Sequence, residues 1–248
     1  MSEIIDQPKN IRPGEELDEY KLQRFFHHSF GKNEGKLEIS QFPSGFSNLT
    51  YLIKYGNNEW VLRKPPFGAN IKSAHDMGRE FKVLNALSKV GIKVPKPVLF
   101  SLDDRILGNP FYLMERKKGV ILRDKAPKGI SLAPDLMRKL SQSAIRNLAD
   151  LHKVDVKKAG LEKLGKPKGY VERQVDGWIN RYFKAETDQI PQMNELADWM
   201  MANQPKKYVT SFIHNDFKYD NLVLNPNNLN EIEAILDWEM ATVGDPMM

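Results

Sequence analysis

Residues 17 to 30, LDEYKLQRFFHHSF, place Leu17, Tyr20, Arg24 and the Phe25/Phe26 pair at helical spacing, which predicts a short amphipathic helix with His27 and His28 on its surface and last turn. The period then changes from about 3.6 to two. LEISQFPSGFSNLTYLIKYGNNEWVLRKPP predicts three strands: one running into PSGFSN, LTYLIKY, and EWVLRK after a GNN turn. Next, Ser73 is positioned to cap AHDMGREFKVLNALSKV, in which Met77, Phe81, Leu84 and Leu87 form one apolar stripe and Gly91 ends the helix. VPKPVLFS and PFYLMER predict two further strands, separated by a DDRILGN turn.

Past Arg116 the texture becomes mainly helical. LMRKLSQSAIRNLADLHKV repeats Leu136, Leu140, Ala144, Leu148 and Leu151 on one face, with Pro134 suited to its first turn. VERQVDGWINRYF and MNELADWMM predict two more helices, whose Trp178, Tyr182, Phe183 and Trp199 are expected in the core. The chain then returns to strands, with LVLN and EIEAILDWE forming a hairpin across PNNLN.

Composition narrows the function classes. The 248 residues are 41% hydrophobic and 28% charged, the balance of a folded chain able to bury a sizeable core. The absence of cysteine excludes disulfides and thiolate metal sites, and the five histidines lack a zinc-ligand spacing. An N-terminus carrying acids and prolines does not read as a secretion signal, and no apolar run is long enough to span a bilayer, so a cytoplasmic protein with no membrane partner is expected. The net charge of +5 comes from lysines interleaved with acids, as on a solvated surface; an anionic small molecule accounts for it, and no nucleic acid partner is expected.

One stretch concentrates polar groups between strand formers: SFIHNDFKYDNLVL, residues 211 to 224. It is either an ordinary polar turn or a loop that holds a metal beside a transferable group. Asp216 and Asn221 stand five apart, and Asp237 lies at the far end of the hairpin, so the fold would bring the three side chains to one mouth. Mg²⁺ takes hard oxygen ligands and keeps places for water and phosphate, so one carboxylate and one carboxamide suffice when a nucleotide supplies the rest. A second carboxylate off the metal can then accept the proton of an attacking hydroxyl, and phosphoryl transfer asks little more of a protein than such positioning and charge neutralisation.

HNDFKYDN resembles the catalytic loop of protein kinases, and LDWE resembles the position of their metal-binding DFG. The aromatic-acidic form DWE followed by GDP is most similar to the aminoglycoside phosphotransferase (APH) family. Within it, VLRKPP with FPSGFSNLTY resembles kinase-like domains found alone in bacteria or fused to acyl-CoA dehydrogenases. From about residue 38 onward this resemblance implies an α+β, protein-kinase-like bilobal fold. Residues 1–115 would form the nucleotide-binding lobe, an antiparallel sheet with one main helix and a helical extension over 1–35; residues 116–248 would form a mostly helical catalytic lobe. Because the sequence stops two residues after GDP, where family members continue, that lobe is expected to be truncated.

The implied activity is ATP- and Mg²⁺-dependent phosphorylation of a small-molecule hydroxyl: an aminoglycoside, a hydroxyacyl-CoA or a related metabolite. The alternative is a non-catalytic nucleotide-binding or interaction module of the same fold. Carried over, the resemblance makes Asp216 the catalytic base and Asn221 and Asp237 the magnesium ligands. Lys218 would offset charge on the transferred phosphate, or be a solvated loop lysine. Glu239 would touch a second metal or face solvent. In the first lobe, Gly45, Ser47 and Asn48 would meet the phosphates, a departure from the three-glycine loop of protein kinases. Arg63 stands where kinases place the strand lysine, with Lys64 on the opposite strand face as the other candidate, and Glu80 is the matching carboxylate. Met114, Glu115 and Arg116 would present backbone groups to adenine.

Overall fold

The computed structural model describes residues 4–31, 36–43, 47–68, 76–125, 127–207 and 209–247. Its elements in chain order are α1 (Glu19–Phe30), β1 (Glu38–Gln41), β2 (Leu49–Tyr55), β3 (Asn58–Lys64), α2 (Met77–Lys89), β4 (Pro97–Ser101), α3 (Asp104–Leu107), β5 (Phe111–Glu115), α4 (Pro134–His152), α5 (Tyr170–Ala185), α6 (Pro191–Ala202), β6 (Ser211–Ile213), β7 (Leu222–Asn225), β8 (Asn228–Ile235) and β9 (Thr242–Gly244). They fall into two compact units, Met1–Leu148 with Asp216–Met240 and Ala149–Asn215 with Ala241–Met248.

The first unit is built on an antiparallel five-stranded sheet in the order β1-β2-β3-β5-β4. Successive side chains of a strand point to opposite faces, so β3 divides its residues: Trp60 and Leu62 join the hydrophobic core under α1, while Val61 and Arg63 belong to the other face. The helix α1 follows from its sequence. Asp18 caps it by accepting the Lys21 amide at 3.0 Å, and Leu22 and Phe26, four apart, are fully buried against Tyr55 and the sheet. Burying each such side chain contributes about 1.5–3 kcal/mol. The hairpin β7–β8 belongs to this unit, with Ala234 and Val223 packed on Ile121.

The second unit holds α5 and α6 and the short pair β6–β9, in which Phe212 faces Val243. Gly244 lets the β9 backbone close onto Tyr170, whose ring would lie 2.7 Å from any Cβ added there. Among the described residues no helix is long and apolar enough to cross a membrane.

Three expectations change. DDRILGN is a turn of helix, α3, capped by Asp103 and closed by Gly108 in the left-handed region at φ 77°. The helix α2 starts at Met77 with Asp76 accepting the Arg79 amide at 2.9 Å; Ser73 lies outside the described residues. None of the four aromatic residues of α5 and α6 expected in the core is buried: Trp178 and Trp199 are 62% exposed, Phe183 is also exposed and Tyr182 is half-buried. The buried stripe of α5 ends at Val175, and past it the Trp178 ring covers Arg181, 4.2 Å from guanidinium to ring centroid.

Candidate active site

Arg63 sits next to last in β3, in register with Thr50 of β2 and Tyr112 of β5, on the face opposite the α1 core. Its guanidinium reaches three carboxylates: Glu80 at 2.6 Å, Asp237 at 3.1 Å and Glu239 at 3.7 Å. Glu80, in the first turn of α2, is buried. Burial raises its carboxyl above the usual carboxylate range, and the Arg63 charge offsets only part of that rise. Burial likewise opposes the charge on Arg63, but the surrounding carboxylates overcome it and hold the guanidinium above its ordinary range. The sequence left open whether Arg63 or Lys64 enters this cluster; Arg63 does. Lys64 is buried on the other face, its Nζ 3.6 Å from the Phe67 ring centroid, and burial pushes its amine down to about 8.

Asp237 owes its position to the chain just after β8. It has φ 63°, a left-handed conformation uncommon for a residue with a side chain. The turn directs Asp237 to Arg63 while the next residue, Trp238, is fully buried and anchored: its indole donates to the Ile235 carbonyl at 2.9 Å and its amide to Glu80 at 3.3 Å. Strained backbone of this kind collects at functional sites. Asn215, immediately before Asp216, has the same feature at φ 65°.

The loop from Asp216 to Asn221 is tied to itself and to β8. Asn221 closes a 3₁₀ turn, and its side-chain nitrogen donates to the Asp216 carbonyl at 2.9 Å and to Asp216 Oδ2 at 3.0 Å. With that nitrogen engaged, Oδ1 is the atom left to coordinate a cation. The Asn221 carbonyl accepts from the Leu236 amide at 2.8 Å, one residue before Asp237, so the backbone itself brings the two expected metal ligands together. Lys218 Nζ lies 2.9 Å from Asp216 Oδ2, and this bond raises the lysine further above neutrality. Tyr219 fixes the loop to α4 through a 3.0 Å contact with the Ser141 hydroxyl.

Four carboxylates (Glu80, Asp216, Asp237 and Glu239) therefore meet two cations, Arg63 and Lys218, leaving an excess of negative charge that a divalent ion would balance. Among the described residues no three acid or histidine side chains are grouped to hold a metal by themselves. One carboxylate and one carboxamide, completed by water and phosphate oxygens, is the donor set Mg²⁺ accepts.

The other expected residues are placed as follows. Gly45 lies outside the described residues, and Ser47 is exposed. Asn48 is buried and donates to Glu239 at 2.6 Å, joining the end of the first loop to DWE. This contact across 191 residues gives Glu239 a protein partner that the sequence did not reveal. Met114 lies opposite Val61 in β5. The Glu115 amide donates to the Lys96 carbonyl at 2.8 Å, so a ligand contact at this residue falls to its carbonyl. Arg116 turns its side chain to Glu59 at 3.0 Å.

Known proteins share the family and the fold of this chain. Residues 38–248 match the profile of the phosphotransferase enzyme family, APH. Acyl-CoA dehydrogenase family member 10 of Mus musculus is 37% identical over 243 residues, covering 98% of this chain and 22% of the relative. The chain thus spans less than a quarter of that relative's length. Among solved structures, a Ralstonia eutropha protein assigned to the aminoglycoside phosphotransferases is 32% identical with a TM-score of 0.80, covering 94% of this chain and 68% of that one. The aminoglycoside phosphotransferase APH(4)-Ia, crystallised with AMP-PNP and hygromycin B, has a TM-score of 0.62 at 16% identity, covering 92% and 73% of the two chains; it shares the fold. The α+β kinase-like fold implied by the motifs is the fold of these neighbours.

Proposed function

We propose that this chain, which belongs to the phosphotransferase enzyme family (APH), transfers the terminal phosphoryl group of ATP to the hydroxyl of a small molecule in a Mg²⁺-dependent reaction. The observation that carries the reading is the joint placement of Asp216, Asn221 and Asp237, through the Asn221–Asp216 and Asn221–Leu236 hydrogen bonds, on the same charged cluster as Arg63 and Glu80. Asn221 Oδ1 and Asp237 would hold the ion, which when bound neutralises phosphate charge. Asp216 orients the acceptor hydroxyl and takes its proton, in the role of the acid that stays off the metal. Lys218, beside Asp216, offsets charge on the group in transit.

Arg63 would grip the nucleotide phosphates, with Glu80 fixing its fork from the buried side. Arg63 also holds Asp237, at 3.1 Å. Ser47 and Asn48 would meet the phosphates, and the Met114–Glu115 segment the base.

For the acceptor, the similarity to a protein named for acyl-CoA dehydrogenation supports a hydroxyacyl-CoA or related metabolite ahead of an aminoglycoside. The test incubates the chain with Mg²⁺ and γ-labelled ATP against hydroxyacyl-CoA esters, aminoglycosides, choline and sugars, with Asp216→Ala as control. Transfer that requires Asp216 upholds the reading. Equal transfer by both proteins refutes the assignment, and nucleotide binding with no transfer to any acceptor favours a binding module instead.

A further inference from the structure

We propose a second ligand site at the opposite end of β3: an anion pocket that takes a small organic phosphate monoester. Two adjoining cavities of about 360 and 330 Å³ share Lys54, Glu59, Arg116 and Lys118. Lys54 and Glu59 are cross-strand partners in the β2–β3 ladder. Glu59 lies four residues along the strand from Arg63, roughly 13 Å at the rise of a β-strand, so this pocket is separate from the acidic cluster.

Three cations, Lys54, Arg116 and Lys118, stand there with two carboxylates, Glu59 and Glu38. Arg116 Nη1 and Lys118 Nζ reach the same oxygen, Glu59 Oε2, at 3.0 and 2.8 Å. The Lys118 bond holds the Glu59 carboxyl below the usual carboxylate range. Lys54, although opposite Glu59, contacts Glu38 at 3.4 Å in a pair open to water, which holds the amine weakly. Lys54 and Lys118 are both exposed, so each can exchange its carboxylate for a more highly charged partner. A phosphate monoester carries about −1.5 to −2 near neutral pH and offers three acceptor oxygens.

The pocket is walled. The Arg116 side chain is only 8% exposed, and its other terminal nitrogen donates to Gln7 Oε1 at 3.3 Å and to the Asp6 carbonyl at 3.5 Å. The strap that includes Gln7 is pinned at both ends. Asp6 donates its amide to the Gly119 carbonyl at 2.9 Å and pairs with Arg123 at 2.7 Å, while Lys9 bridges to Gln41 of β1. Ile5 and Pro8 of the strap, with Leu52 of the sheet, give the pocket an apolar side. The lining is mostly polar and open to water, with the convergent cations on one side and the apolar patch on the other. The apolar side suits an organic body behind the phosphate.

Titration calorimetry of the intact chain at low ionic strength tests the site with ribose 5-phosphate, inorganic phosphate and ribose. Saturable binding of ribose 5-phosphate, tighter than inorganic phosphate and absent for ribose, is expected. The Lys54→Ala/Lys118→Ala double variant changes only solvent-accessible side chains and should weaken binding about tenfold or more, the equivalent of one charge-assisted hydrogen bond. Glu59→Gln removes the competing carboxylate and should tighten binding by about threefold, whereas a merely structural Glu59 would give the reverse. Binding should persist in Asp216→Ala, which separates this site from the proposed transfer centre. Absence of saturable binding, equal affinity in the lysine double variant, or loss with Asp216→Ala overturns the proposal; inorganic phosphate binding as tightly as ribose 5-phosphate overturns its organic part.

Discussion

The two ends of β3 carry opposite charge imbalances. At Arg63 one guanidinium and one nearby lysine face four carboxylates; at Glu59 two carboxylates, Glu59 and Glu38, face two lysines and an arginine. Both clusters stand on the same ladder, yet the Arg63 end is anchored on a buried pair, Arg63 and Glu80, with Asp216, Asp237 and Lys218 reaching solvent, while the Glu59 end opens to water through Lys54 and Lys118. Charge of one sign left over in a buried site is costly unless a ligand answers it. The difference therefore separates a centre built for a cation and a nucleotide from a wetter pocket whose surplus is positive.

Perturbing each end should sharpen this contrast. The largest effect is expected at the catalytic loop, where Asp216→Ala should lower the turnover of an active acceptor about 10²–10⁴-fold, the range for removing a general base, with ATP binding kept. Next comes Arg63→Met, which strands Glu80 as an unpaired buried carboxyl and should destabilise the fold by about 3–5 kcal/mol in denaturant melts. Arg63→Lys should recover part of that loss. A smaller change of opposite sign is expected on the other face of the strand. Lys64→Met removes a buried amine with no hydrogen-bond partner among the described residues, and should stabilise by roughly 1–3 kcal/mol at neutral pH.

The pH dependence of the Lys64 effect is specific. Its folded amine titrates near 8 against an ordinary 10.5, so between these values the unfolded chain holds a proton that the folded chain has lost. Stability contributed at this site rises with pH across that window, and the advantage of Lys64→Met, full below pH 8, should shrink as pH approaches 10.5. The smallest effect belongs to the open end: Lys118→Ala should change stability by no more than about 1 kcal/mol, as for an exposed ion pair, while weakening phosphate binding.

Periodicity made the sheet legible. The runs of strand formers LTYLIKY and EWVLRK on either side of the GNN turn gave the strands, and the two-residue side-chain period gave the face of Arg63. The stripe of α2 was equally plain, while its start was not, since Asp76 and Ser73 are both good caps and only packing chooses between them. Spacing located Asp216, Asn221 and Asp237. It could not reveal that Asp237 adopts a positive φ, that Trp238 is the buried anchor beside it, or that Asn48 reaches Glu239. Each of these depends on tertiary contacts between segments more than a hundred residues apart, or on a turn without glycine. The exposed Trp178 and Trp199 were misjudged for a related reason: size and apolarity predict burial only where a neighbouring element arrives to cover the ring.

The central claim is that Asn221 and Asp237 share a divalent ion with the phosphates of ATP. Calorimetric titration of ATP, with Mg²⁺ and with a chelator, into the unaltered chain and into Asp237→Asn tests it directly. Magnesium should strengthen ATP binding by about tenfold or more in the unaltered chain, equivalent to about 1.4 kcal/mol, and this gain should vanish in the variant. The same magnesium dependence in both proteins would place the ion elsewhere and contradict the account.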